Sequence, residues 1–193
     1  IQLYDFEDIL VNESSLQHKL SYFIRINEHL LGEKIINIRL EYPINKININ
    51  ERLIKKEIDI FISTKNTDYL IELKFPKFNS GFPLALFNFF KDIKFCEEIK
   101  KKKKSNMRCY CVFLTNKVFS STKHIYSFFK SPILIKSIEK KDNYINILNK
   151  EFESQKIRKY SDDLCYLKLK NEYSADWTTF KSNSEWKYFI IKV

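Results

Sequence analysis

Two acids and a lysine, Asp59, Glu72 and Lys74, stand where they could act as one chemical group. Asp59 lies in the run EIDIFIST, and Glu72 and Lys74 lie in YLIELKFPK, two extended runs that meet at Lys65 and Asn66. Both runs alternate in polarity, as half-buried strands do. An even-numbered loop centred on Lys65 and Asn66 places Ile58 opposite Leu73, Ile60 opposite Ile71 and Ile62 opposite Tyr69, which predicts one continuous apolar surface. The other face then carries Asp59 opposite Glu72 and Glu57 opposite Lys74, with Phe61 and Leu70 beside them. A slip of one residue would set the aliphatics against charged partners, so the hydrophobic pattern itself selects this pairing.

Opposed side chains on a sheet have Cβ atoms about 5 Å apart, and two carboxylates at that distance repel unless something neutralises them. A divalent cation would do so, and oxygen ligands without His or Cys select Mg2+, with Mn2+ an alternative, over zinc. The ordinary reading is a solvated sheet face on which Glu57 and Lys74 form a surface ion pair. Phe61 and Leu70 weigh against it, because part of that face must then be covered, and an uncompensated carboxylate beside a covered region is costly.

The elements that must position these residues follow from periodicity. Leu16, Leu20, Phe23, Ile24 and Leu30 have helical spacing, which predicts a helix from Ser14 to Leu31, with a capping box from Ser14 and Gln17 and a stop at Gly32. Strands are expected at Ile36 to Ile44, Glu57 to Thr64 and Thr67 to Phe75. A second helix is expected from about Pro83 through FNFFKDIKFCEEI, followed by a buried strand at Arg108 to Thr115. Beyond it the pattern weakens to a short helix at Ile125 to Phe129 and strands at Leu164 to Leu169 and Trp186 to Val193.

Asp59, followed after twelve residues by Glu72-Leu73-Lys74, resembles the PD-(D/E)xK signature of the restriction-endonuclease-like nuclease superfamily. The order helix, three strands, helix, strand is similar to that superfamily's common core. The runs RLEYPI, IDIFI, FNFFKDIKFCEEI and CVFLTN and the ending in WKYFIIKV resemble a bacterial group within it that has no assigned substrate. Two positions depart from the pattern: Ile58 replaces the signature proline, and Asn88 stands where similar proteins often place an aspartate.

The resemblance implies an α/β fold with a mixed central sheet in αβββαβ order, flanking helices and C-terminal strands. It implies a metal-dependent nuclease that hydrolyses phosphodiester bonds in DNA, in restriction, phage defence or repair, and leaves a 5′-phosphate and a 3′-hydroxyl. Asp59 and Glu72 would bind Mg2+, the Leu73 backbone carbonyl would be a further ligand, and Lys74 would orient water or stabilise developing negative charge. Glu41 and Glu13 are further candidate metal carboxylates. Lys91 and Lys94 on the second helix are candidate phosphate contacts; with Asp92, Glu97 and Glu98 beside them, the competing expectation is a solvated helix face. The alternative function keeps the fold without the chemistry, as a nucleic-acid-binding or complex-assembly subunit. Cleavage of both duplex strands would favour a homodimer.

Composition bounds the rest. In 193 residues there are seventeen Phe and eleven Tyr, ample for the core of a single domain, here expected to span 1–193. Only Gly32 and Gly81 are glycine, which excludes phosphate-cradling loops, dinucleotide-binding turns and nucleophile elbows. His18, His29 and His124 lie far apart, and Cys96, Cys109, Cys111 and Cys165 lack both zinc-knuckle and disulfide-framework spacing, so the expectation is reduced, mostly buried thiols. A net charge of +10 suits a polyanionic partner, although a chain rich in Lys, Asn and Ile becomes basic without one. Nothing approaches an apolar membrane span, and the early acids Asp5, Glu7 and Asp8 do not suit a signal segment; a cytoplasmic protein is expected. Trp177, Trp186 and the late tyrosines could stack on bases, with core packing the stronger expectation.

Overall fold

A computed structural model describes residues 12–47, 57–76, 82–102, 106–115, 133–141, 144–147, 166–179 and 186–193. The elements in chain order are α1 (Glu13–Ile26), β1 (Ile35–Pro43), β2 (Glu57–Thr64), β3 (Asp68–Lys74), α2 (Phe82–Lys102), β4 (Met107–Thr115), β5 (Ile133–Lys141), β6 (Tyr144–Ile147), β7 (Tyr166–Ala175), β8 (Thr178–Thr179) and β9 (Lys187–Lys192). The expected order of helix, three strands, helix and strand is therefore present. β5, β6 and β8 were not expected, and the expected helix at Ile125 to Phe129 lies outside the described residues.

Two sheets form. The larger has the order β1-β2-β3-β4-β9-β8 and is mixed: β3 and β4 run parallel and the other neighbours are antiparallel. The parallel pair needs a crossover, and α2 supplies it. β6, β5 and β7 make a separate antiparallel sheet.

The larger sheet has an apolar layer on each face. On one side Ile60, Ile62, Tyr69, Ile71 and Leu73 pack with Leu16, Leu20 and Ile24 of α1. On the other, Phe61, Leu70, Cys109, Cys111 and Phe113 pack with α2, and Leu169 and Ala175 of β7 join the same layer. α2 is thus held between two sheets. Its Phe87, Phe89, Phe90, Ile93, Phe95, Cys96 and Ile99 are all buried, so it is apolar around most of its circumference, as an interior helix must be. Trp177 packs edge-on against Phe113 and Phe189, and Trp186 stacks on Phe75, so both tryptophans serve the core.

The end signals differ from expectation in detail. Asn12, and not Ser14, caps α1: its side chain accepts from Ser15 N at 2.8 Å while Ser15 Oγ accepts from Asn12 N at 3.0 Å. The helix ends at Ile26 because Asn27 turns its backbone and side-chain amides back onto the Phe23 carbonyl, and a short 3-10 turn continues to Leu31. Gly32 then stops the segment in a left-handed conformation with φ 68°.

Glu97, expected on a solvated face, is buried. Leu169 to Glu172 of β7 bulge out against Lys136 of β5, which frees backbone N–H groups. Glu97 accepts from Lys170 N at 2.8 Å, from Asn171 N at 2.9 Å and from the Tyr173 hydroxyl at 3.0 Å. Burial, with the Glu97 charge adding to it, pushes the Tyr173 phenol up to about 12. Glu97→Ala should lower stability by about 2 kcal/mol in urea denaturation, with the loss of protection in hydrogen exchange concentrated on β7.

Cys96, Cys109 and Cys111 are buried free thiols, with Cys96 Sγ 3.6 Å from Cys111 Sγ. Burial holds the Cys96 thiol well above its ordinary range and raises Cys111 to about 11; the bond with Cys96, then burial, raises Cys109. Thiols that keep their protons more tightly when folded leave stability complete below the unfolded pKa of about 8.5. Above it, stability should fall by about 1.4 kcal/mol per pH unit for each thiol, up to the folded values. Alkaline denaturation beginning above pH 9, displaced upward by substituting the three cysteines with alanine or serine, checks this.

Candidate active site

The β2–β3 hairpin turns at Lys65 and Asn66, with Thr64 N donating to the Thr67 carbonyl at 3.0 Å. Glu33 fastens this end: its carboxylate accepts from the hydroxyls of Thr64 at 2.6 Å and Thr67 at 3.1 Å, and the Thr64 bond holds its pKa below the ordinary value. The register agrees with the sequence pattern at Ser63–Asp68, Ile62–Tyr69, Phe61–Leu70 and Ile60–Ile71. There the ladder ends. Asp59–Glu72 and Glu57–Lys74, expected as cross-strand pairs, are not rungs of it, and Glu57 is exposed opposite Pro43 of β1.

The reason lies in the neighbouring strand. Glu41 adopts φ 47°, a left-handed conformation that costs a non-glycine residue roughly 1–2 kcal/mol. On either side of it β1 changes face: Leu40 belongs to the α1 layer, whereas Tyr42 belongs to the α2 layer and stacks on Phe61 at 4.6 Å. β2 follows, paired Leu40–Ile60 and Tyr42–Ile58. Ile60 therefore faces α1 while Ile58 faces α2, which breaks the single apolar surface expected for Ile58, Ile60 and Ile62. Asp59 stands at this change of face, and its Oδ2 accepts from Leu73 N at 2.7 Å, a bond that joins the strands beyond the last rung.

Glu72 occupies the same side of β3 as Leu70, under α2, and is 0% exposed. Asp92 of α2, at 2%, is buried near it; the charges of Asp92 and Glu72 both act on the Cys111 thiol. Lys74 Nζ lies 3.6 Å from Asp92 Oδ2 and donates to Glu13 Oε1 and to the Leu73 carbonyl, each at 3.2 Å. Glu13, in the first turn of α1, also accepts from Phe75 N at 3.2 Å through Oε2. Thr115 at the end of β4 donates to the Pro76 carbonyl at 3.0 Å and ties down the chain leaving the site.

Lys74 and Glu13 are thus paired where β3 ends, Asp59 is bonded to the Leu73 backbone one residue before Lys74, and Glu72 is buried on the α2 side of the same strand. Glu41 is exposed, across from Asp59 on β1. Lys91 and Lys94 have other engagements: the Lys91 ammonium lies over the Phe87 ring at 5.4 Å, and Lys94 pairs with Glu97 at 3.8 Å. Asp92 was placed on a solvated face by its charged neighbours, but the stripe Phe89, Asp92, Cys96, Ile99 has the spacing of one buried helix face and was the signal that could have found it.

Among the described residues no group of three or more His, Cys, Asp and Glu side chains is arranged to hold a metal ion. A Mg2+ site needs less from the protein, since that ion keeps several waters and is held by one or two carboxylates. Asp59, Glu72 and the Leu73 carbonyl are a donor set of that chemistry, oxygen only, beside a surplus of carboxylates over ammonium groups. No known protein family, curated protein or solved structure matches the chain.

The left-handed residue at the change of face is open to a direct check. Glu41→Gly should be more stable than Glu41→Ala by about 1 kcal/mol in urea denaturation, because only the glycine relieves the backbone.

Proposed function

We propose that this chain is a metal-dependent nuclease that hydrolyses phosphodiester bonds in DNA, on a restriction-endonuclease-like core. The observation that carries the reading is the bond from the Leu73 N–H to Asp59 Oδ2, which sets Asp59 against the backbone between buried Glu72 and Lys74 at the end of the β2–β3 ladder. The order α1, β1, β2, β3, α2, β4 and the PD-(D/E)xK-like spacing support it.

A phosphodiester resists hydrolysis because its own negative charge repels an incoming hydroxide. Mg2+, when bound, supplies positive charge at the phosphoryl oxygen and a more acidic water. Asp59 and Glu72 would hold it, with the Leu73 carbonyl as a main-chain donor. The Leu73 N–H fixes the Asp59 carboxylate before any ligand arrives, and burial fixes Glu72, so neither need be ordered on binding. Lys74 presents a fixed ammonium to developing charge, with its stem buried and its side chain 16% exposed. A phosphate oxygen reaching Lys74 would take the place of Glu13, the more exposed of its carboxylate partners at 36%. The net charge of +10 favours approach of the polyanion and makes affinity fall with salt.

The absence of a three-ligand group among the described residues and the engagement of Lys74 by Glu13 favour a second reading, a nucleic-acid-binding or complex-assembly subunit on the same fold. Plasmid, linear duplex and single-stranded DNA incubated with Mg2+, Mn2+ or EDTA separate the two. The nuclease cuts at least one substrate in a metal-dependent way, and Asp59→Ala and Lys74→Ala each reduce cleavage by about 10²-fold or more while the circular dichroism spectrum is retained. No cleavage, with salt-dependent binding that survives both substitutions, identifies the binding subunit.

A further inference from the structure

We propose that Asp92 is the positioning residue for Lys74: a buried counter-ion on α2 that fixes the ammonium in place while Glu13 is exchanged for a substrate phosphate. The inference rests on the nuclease reading and assigns a role to a side chain outside its signature. Lys74 reaches two carboxylates from different elements, Asp92 at 3.6 Å and Glu13 at 3.2 Å. They differ in access to water. The Asp92 side chain is 3% exposed and that of Glu13 is 36% exposed.

Packing argues that Asp92 is there for the charge. Its neighbours along the stripe, Phe89, Cys96 and Ile99, are all buried and apolar, and α2 gains stability from an apolar side chain at such a position. A carboxylate removed from water costs several kcal/mol that its partner must offset, so burial of Asp92 is tolerable only with a cation held against it. Lys74 is that cation, and the restraint is mutual. A lysine side chain is long and rotamer-rich, and one carboxylate at the solvent side would leave its ammonium free to swing; a second from the helix side defines where it rests. Once a phosphate oxygen takes the place of Glu13, which also accepts the Phe75 N–H, Asp92 and the Leu73 carbonyl still hold Lys74.

The test combines stability with kinetics on the full chain. Melting temperatures are measured for Asp92→Asn, Lys74→Met and the double variant, with Glu13→Gln and its double with Lys74→Met as the exposed comparison. Each single change at Asp92 or Lys74 should lower the midpoint by several degrees, and the double variant should lose less than the two combined. The Glu13 pair should be closer to additive. In Mg2+-dependent DNA cleavage, Asp92→Asn should lower kcat by about tenfold or more with KM nearly unchanged, and Asp92→Glu should recover part of it. Additive midpoints for Asp92 and Lys74, or wild-type kcat in Asp92→Asn, overturn the inference. Coupled midpoints in a protein that cuts no DNA would remove the nuclease reading and leave Asp92 as the residue that holds Lys74.

Discussion

Two acids, Glu72 of β3 and Asp92 of α2, are removed from water between the helix and the larger sheet, and the surrounding contacts answer to that burial. Two carboxylates in an aromatic interior are tolerable only where positive charge and donors are brought to them. Lys74 reaches this region from the end of β3, and its ammonium is shared with Glu13 from the opposite face of the sheet. A single lysine thereby joins the N-terminus of α1, the last residue of β3 and the middle of α2.

Among the described residues a carboxylate takes up freed backbone donors at three places. Asp59 accepts the Leu73 N–H beyond the last rung of the β2–β3 ladder, Glu13 accepts the Phe75 N–H after β3 ends, and Glu97 accepts two N–H groups from the bulge of β7. Backbone donors released by a sheet irregularity must be paired, and a carboxylate does this more strongly than a neutral acceptor. At β7 the result is purely architectural, locking the three-stranded sheet to α2. At Asp59 and Glu13 it fixes two acids against the backbone at the end of β3, Glu13 in contact with Lys74.

α2 links these regions. It covers Glu72 and presents Asp92 on the side of the larger sheet, and it carries Glu97 toward β7. Its aromatic circumference explains how the chain builds this interior with only two glycines: Phe87, Phe89, Phe90 and Phe95 fill the space between the sheets. No helix among the described residues is long and apolar enough to cross a membrane.

The order of the first six elements, the turn at Lys65 and Asn66, the register from Ile60 to Ser63 and the buried thiols Cys96, Cys109 and Cys111 are legible in the sequence. Each is a local or period-two property, readable because alternation and turn chemistry act over a few residues. The kinds of side chain and their register singled out Asp59, Glu72 and Lys74, and the family resemblance added Glu13. The rest follows from tertiary packing: the ladder stops at Ile60 and Ile58 and Ile60 serve opposite layers beside the left-handed backbone at Glu41, Asp92 leaves water against the larger sheet, and Glu97 leaves it against β7. A charged residue in a helical stripe reads as solvated until a second layer covers it, and that layer comes from strands more than seventy residues further along the chain.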